Sequence, residues 1–290
     1  DLLFVDRFNG LIPVDYTYSL LVDIDPDDDV DDLYPELAVG RITAETLTEA
    51  NDAVEKIKTY ETSFESVEPW HNNITFVADN PDSGGNFCVE SMETAVHIPD
   101  SINKDFLCLP DVPSGEQEKA ATEALRAELF DAINGEGMAI LNYRGHGGIR
   151  GWANPPHIMH IDFASGWENV GRPLVLLSAD CLDGHFATTS TEGLGETIFD
   201  LGNNRGTTAH WSSSGLGFTF EHSVLHEAFY DGVFSEGLPR IGDAINYAKI
   251  VYLSTGYDPS EAYAFIFLGD PAMNAYQMRS TVSLPVVLRP

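Results

Sequence analysis

Three short runs constrain this chain more than any other feature. Residues 73–78 (NITFVA), 137–143 (GMAILNY) and 173–178 (PLVLLS) are mostly apolar, with no strict alternation. A strand with one wet face alternates apolar and polar residues. A strand covered on both faces does not, and such strands belong to parallel sheets whose crossover helices supply the cover. Helical spacing stands between the runs. Over 116–133 it sets Ala120, Ala124, Leu125, Leu129 and Ile133 on one face. An earlier helix is predicted after Thr48 as N-cap, with Ala50, Ala53, Val54, Ile57 and Tyr60 in register. Further strands are expected at 18–22, 35–41, 106–109, 207–211 and 264–268, and further helices at 194–201, 220–234 and 240–253. The whole predicts an α/β fold with a mostly parallel sheet flanked by helices. A soft division lies within 70–110. Drawn at 80, it separates a smaller N-terminal α/β subdomain (1–80) from the main-sheet subdomain (81–290), unless the two form one continuous domain.

Composition narrows the function classes. Against 15 Lys and Arg stand 46 Asp and Glu, a net charge of −31. A surface this acidic repels phosphate backbones, so no nucleic-acid partner is expected. It fits a secreted, salt-adapted or calcium-binding protein, or a plainly solvated surface. No run of about 18 apolar residues exists, so no membrane span is expected. The chain starts at Asp1 without Met or a signal-like segment, which suggests a piece of a longer or processed precursor. Three cysteines, Cys88, Cys108 and Cys181, leave at least one thiol over. Cys88 and Cys108 could pair in an oxidising compartment.

Two consecutive strands end in reactive chemistry. The first runs into Gly145-His146-Gly147-Gly148, the second into Asp180-Cys181. If the strands are parallel neighbours, both ends lie at the carboxyl edge of the sheet, within about 10 Å, where open α/β sheets bind ligands. That pairing suits a cysteine nucleophile with a histidine acid/base. Glycine at 147 and 148 leaves backbone N–H groups bare for an oxyanion, with the Cys181 N–H as second donor. Zinc is a weaker reading, because no third ligand stands at zinc-site spacing. A serine hydrolase is weaker still, because no G-x-S-x-G elbow exists.

At these residues the chain resembles the gingipain family of cysteine peptidases. The likeness runs through 32–44 (DLYPELAVGRITA), 142–147 (NYRGHG) with Trp152, 178–186 (SADCLDGHF), 193–196 (GLGE), 206–211 (GTTAHW), 242–245 (GDAI) and 268–273 (LGDPAM). The resemblance implies a caspase–haemoglobinase-like fold, with His146 as acid/base, Cys181 as nucleophile, and Gly147 and Cys181 as oxyanion donors. It also implies a carboxylate that orients the histidine, with Asp15 and Asp23 as candidates. An acidic pocket for a basic substrate side chain would use Asp32, bordered by Trp211 or the segment 212–218 that starts at Ser212. The expected partners are protein or peptide substrates, and the expected place is outside a prokaryotic cell or on its surface. The chemistry needs no cofactor. The resemblance suggests a structural Ca²⁺, and the acidic run 23–32 offers oxygen ligands without an EF-hand pattern. Alternatives are a maturation or sorting peptidase with one dedicated partner, or a non-catalytic binding domain; the intact His146 and Cys181 argue against the latter.

Overall fold

The structure, a computed structural model, describes residues 3–6, 8, 10–21, 34–66, 68–188 and 192–276. Asp23 and Asp32 lie outside the described residues. A short antiparallel hairpin comes first, β1 (Leu3–Asp6) and β2 (Gly10–Pro13). Next come α1 (Leu47–Ser63), β3 (Asn73–Ala78), α2 (Phe87–Thr94), β4 (Asn103–Cys108), α3 (Glu116–Asn134) and β5 (Ile140–Arg144). Three two-residue strands form a small meander, β6 (Gly147–Gly148), β7 (Gly151–Trp152) and β8 (Met159–His160). The chain continues through β9 (Leu174–Ala179), α4 (Leu194–Phe199), β10 (Thr207–Ser213), α5 (Thr219–Tyr230), α6 (Ile241–Ser254), α7 (Ser260–Ala264) and β11 (Phe265–Leu268).

The main sheet has six strands in the order β11-β10-β9-β5-β3-β4. All its pairings are parallel except β10–β11. Alternate side chains along each central strand enter opposite cores. Ile74, Phe76, Ile140, Val175, Leu177 and Trp211 pack under α5 and α6. Val77, Leu141, Tyr143, Leu174 and Leu176 pack under α3 and α4, against Leu125, Leu129, Ile133, Leu194 and Ile198. This two-sided burial is why the runs do not alternate: each residue contributes about 1.5–3 kcal/mol whichever way it points. The mostly parallel α/β sheet flanked by helices is therefore the fold expected.

Several local expectations need correction. Residues 18–22 do not form a strand over their described part. Tyr16–Ser19 makes a 3₁₀ turn closed by Ser19 Oγ donating to Tyr16 O at 2.6 Å. Residues 35–41 form no strand either, since the N–H groups of Glu36 and Leu37 both turn onto Ser19 O. Only Arg41 makes a bridge, to Leu268. The N-cap of α1 is Thr46, whose hydroxyl accepts from the Glu49 N–H while the Glu49 side chain returns to Thr46 N–H. Residues 87–94, where no element was expected, form α2, capped by Asn86 Oδ1 on the Val89 N–H. A disulfide joins Cys88 at the start of α2 to Cys108 at the end of β4, with Cα atoms 5.7 Å apart.

Chain order sets the site. β4 lies to one side of β3, while β5, β9 and β10 lie to the other. The loops leaving β3 and β5 therefore diverge, and the crevice between them is the switch point at which such sheets bind ligands.

Candidate active site

In the register of β5 against β9, Arg144 stands opposite Ala179. His146 and Cys181 each come two residues later, so equal offsets bring both to one edge. Both line a cleft of ≈ 180 Å³, together with Gly84, Phe87, Gly217, Phe218, Thr219 and His222. The Cys181 thiol points to Gly217 O at 3.8 Å.

The glycines around His146 have structural reasons. Gly145 has φ +158°, and a Cβ there would strike the Asp79 side chain and meet Tyr143 Oη at 2.6 Å. A Cβ on Gly147 would overlap the Asp180 carboxyl and meet Cys181 O at 2.5 Å. The two strand ends can therefore touch only if 147 has no side chain. Tyr143, stacked on Trp152 at 4.4 Å, clamps the turn. Its hydroxyl donates to His146 O at 2.7 Å and accepts the Ala153 N–H at 2.9 Å.

The carboxylate on the histidine ring is Asp82, in the loop after β3. Its Oδ2 lies 2.8 Å from His146 Nε2, and its Oδ1 accepts the Gly84 N–H at 2.7 Å. Burial works to raise the Asp82 carboxyl, but the His146 ring, the Gly84 and Gly85 N–H groups and the His146 charge outweigh it and hold it below the usual range. Asp79, one residue past β3, accepts the His146 N–H at 3.3 Å and the Asn80 N–H at 2.8 Å. Burial pushes its carboxyl up in spite of those donors.

The expected orienting residue Asp15 is placed otherwise. Both its oxygens bond Arg41, Oδ2 to Nε at 2.9 Å and Oδ1 to Nη2 at 2.5 Å. The Asp23 and Asp32 expectations fall outside the described residues. Trp211 does not face the cleft, being fully buried and stacked on His226 at 5.4 Å. Ser212 is buried beneath Gly184. Of the expected segment 212–218, Gly217 and Phe218 line the cleft, with Thr219 next to them. Asp82 and Asp79 beside His146, and Phe87, Thr219 and His222 in the cleft, were not among the candidate residues. The two aspartates stand in the polar stretch 79–85 at a strand end, the kind of loop where α/β sheets build sites.

Charged groups lie under the floor. Arg144, 1% exposed, bonds Ser223 Oγ at 2.9 Å, Thr94 Oγ1 at 3.1 Å and Thr219 O at 3.3 Å, with Glu90 Oε2 at 3.5 Å. His222 Nε2 meets the buried Glu261 at 2.9 Å. Asp183 accepts from Trp152 Nε1 at 2.9 Å and pairs with His210 Nε2 at 3.1 Å. Asp180, next to Cys181, is fully buried, and neither of its oxygens has a hydrogen-bond partner among the described residues.

The model of peptidase family C25 matches residues 4–276, nearly the whole chain. The chain belongs to peptidase family C25. Its fold is similar to that of the arginine-specific cysteine proteinase gingipain R (RgpB), with a TM-score of 0.72 at 17% identity over 91% of this chain. A complex of Porphyromonas gingivalis RgpB pro- and mature domains matches equally, with a TM-score of 0.72, 17% identity and 91% coverage. A third structure, described only as a protease, gives 0.69 at 15% identity over 91%. This C25 chain spans about three-fifths of the length of those structures, 59%, 60% and 59% respectively. No curated protein matches it.

Proposed function

We propose that this C25 chain is a secreted cysteine endopeptidase with a His146–Cys181 dyad that cleaves after a basic residue. The single observation that carries the dyad is the pairing of equal strand-end offsets with Asp82 on His146 Nε2. With Nε2 held, Nδ1 is the ring nitrogen left to exchange a proton with substrate and thiol.

The chemistry then runs in two halves. Cys181 passes its proton to His146, and the thiolate sulfur attacks the scissile carbonyl carbon. The carbonyl electron pair moves to oxygen, where the Gly147 and Cys181 N–H groups are the proposed donors. Collapse breaks the C–N bond, and His146 gives its proton to the leaving amine. Water, deprotonated by His146, then cleaves the thioester and restores the thiol.

Basic specificity is supported by the net charge of −31, by the resemblance at 32–44, and by the arginine specificity named for gingipain R. Asp32 is the proposed acid, pairing bidentately with Arg or as a point charge with Lys. Location outside a prokaryotic cell is supported by the Cys88–Cys108 disulfide, which persists in oxidising surroundings. Calcium enters only as a structural ion. Among the described residues no cluster of three or more His, Cys, Asp or Glu is set to hold a metal. Among them, also, no helix is long and apolar enough to cross a membrane.

The test is a positional-scanning fluorogenic peptide assay on the wild type and Cys181→Ala, with and without calcium. Cleavage after Arg or Lys by the wild type alone is the expected result. Cleavage surviving in Cys181→Ala would remove the nucleophile assignment. Cleavage after another residue would remove the basic pocket.

A further inference from the structure

The rim of the cleft continues as a row of exposed aromatic rings. Phe218 lines the cleft one residue from Gly217, whose carbonyl faces the Cys181 thiol. Its ring stacks on Phe220, with centroids 5.6 Å apart and planes 15° from parallel. Phe220 meets Tyr257 edge-to-face at 5.4 Å, and Phe8 meets Phe218 edge-to-face at 5.5 Å. All four are exposed, by 48% (Phe8), 48% (Phe218), 50% (Phe220) and 44% (Tyr257).

Single exposed aromatics are ordinary, but a contiguous apolar patch marks a contact surface. These four rings come from three separate stretches: the residues before β2, the start of α5, and the connection between α6 and α7. None belongs to the buried clusters that close the sheet. On a chain of net charge −31, these four contacting rings form an uncharged stretch that begins at the cleft mouth. It is also held in place. Phe218 is the N-cap of α5, with its N–H donating to Glu221 Oε2 at 3.3 Å, and Phe220 sits in the first turn.

We propose that this strip is an extended subsite that receives an aromatic or large aliphatic side chain of the peptide substrate, close to the scissile bond. The proposal rests on the peptidase reading above. Continuity decides the occupant, because Phe218 belongs both to the cleft and to the strip. Length agrees. The two ring separations from Phe218 through Phe220 to Tyr257 sum to about 11 Å, so the strip spans at most roughly three residues of extended peptide. An extended peptide turns alternate side chains to one face, so the preference falls on one or two alternate positions. Offset and edge-on packing against the rings favours aromatic over small side chains.

The test compares peptides that share one scissile pair but carry Phe, Leu or Ser at each flanking position. The readout is the ratio of kcat/KM for Phe over Ser. The wild type is expected to show a ratio of about ten at one or two positions. Phe220→Ala and Tyr257→Ala should each bring it close to one. Leu47→Ala, an exposed apolar residue at the start of α1, should leave it unchanged. The same peptides, labelled and bound to Cys181→Ala, should show the same order in fluorescence anisotropy, lost in Cys181→Ala/Phe220→Ala. No preference at any position, or a preference untouched in both ring variants, would overturn the subsite. A wild type that cleaves nothing, while Cys181→Ala binds Phe peptides better than Ser peptides, would defeat the peptidase reading and keep the strip. Absence of both cleavage and binding would end both.

Discussion

Asp82 and Asp180 lie at the same site in opposite electrostatic conditions. Asp82 is part-exposed and its ring partner stabilises the anion, so it is ionised wherever the protein is folded and near neutral. Its work is to hold His146 Nε2. Asp82→Asn is expected to lower kcat by about 10–10³-fold with little change in KM, because the amide can hold the wrong tautomer; steady-state kinetics and an unchanged melting temperature check this. Equal loss in kcat and stability would make Asp82 a structural residue. Asp180 differs. Burial, reinforced by the Asp183 charge, pushes its carboxyl well above the usual range. The folded chain therefore keeps a proton that the unfolded chain releases above about pH 4. The unfolded state binds fewer protons over that window, so stability falls as pH rises from about 4 towards the folded value. Asp180→Asn mimics the neutral acid and escapes that loss. Its melting temperature should match the wild type near pH 4 and exceed it increasingly towards pH 8. A gap that does not grow with rising pH, or a variant that falls below the wild type, would mean Asp180 is charged in the fold.

At the scale of elements, the loop after β3 that carries Asp82 takes its position from α2. Asp82 turns back through its N–H onto Gly85 O at 3.0 Å, and α2 begins two residues later at Phe87, whose ring meets His146 at 5.5 Å. The disulfide ties the first turn of α2 to the end of β4, closing a 20-residue separation. Cys88→Ser/Cys108→Ser should cost about 3 kcal/mol in denaturant unfolding and also lower kcat, because the Asp82 loop loses its anchor. A stability loss with kcat untouched would separate the two roles. Gly147 is the matching constraint on the other side of the site. Gly147→Ala places a Cβ against Asp180 and Cys181, so activity should fall at least tenfold even where circular dichroism shows a folded chain. The helices and central strands were legible at this scale because periodicity and two-sided burial are local signals. α2 was not, because its buried face is only Phe87, Ser91 and Thr94. The stretch 35–41 reads as a strand by composition, yet its N–H groups are taken by Ser19 O, a contact that composition does not carry.

At the scale of the molecule, a net charge of −31 over 290 residues sets a field that attracts cationic peptides. For a basic substrate kcat/KM should fall several-fold between about 0.02 and 0.5 M salt, while a neutral substrate changes little; equal salt dependence for both would remove steering. By itself the sequence determined which residues are strands and helices along most of the sheet, because burial on two faces suppresses alternation. It also determined that a histidine and a cysteine end two such strands, since both lie beside runs readable locally. Only the tertiary structure decided the strand order β11-β10-β9-β5-β3-β4, and with it the crevice between β3 and β5. That order brought Asp82 to a histidine 64 residues away and left Asp15 bonded to Arg41 instead. It also sent Trp211 into the core and Phe218 to the cleft. Side-chain alternation along a strand says that two faces exist; which neighbours those faces and edges meet depends on contacts distant in the chain, and no local pattern encodes them.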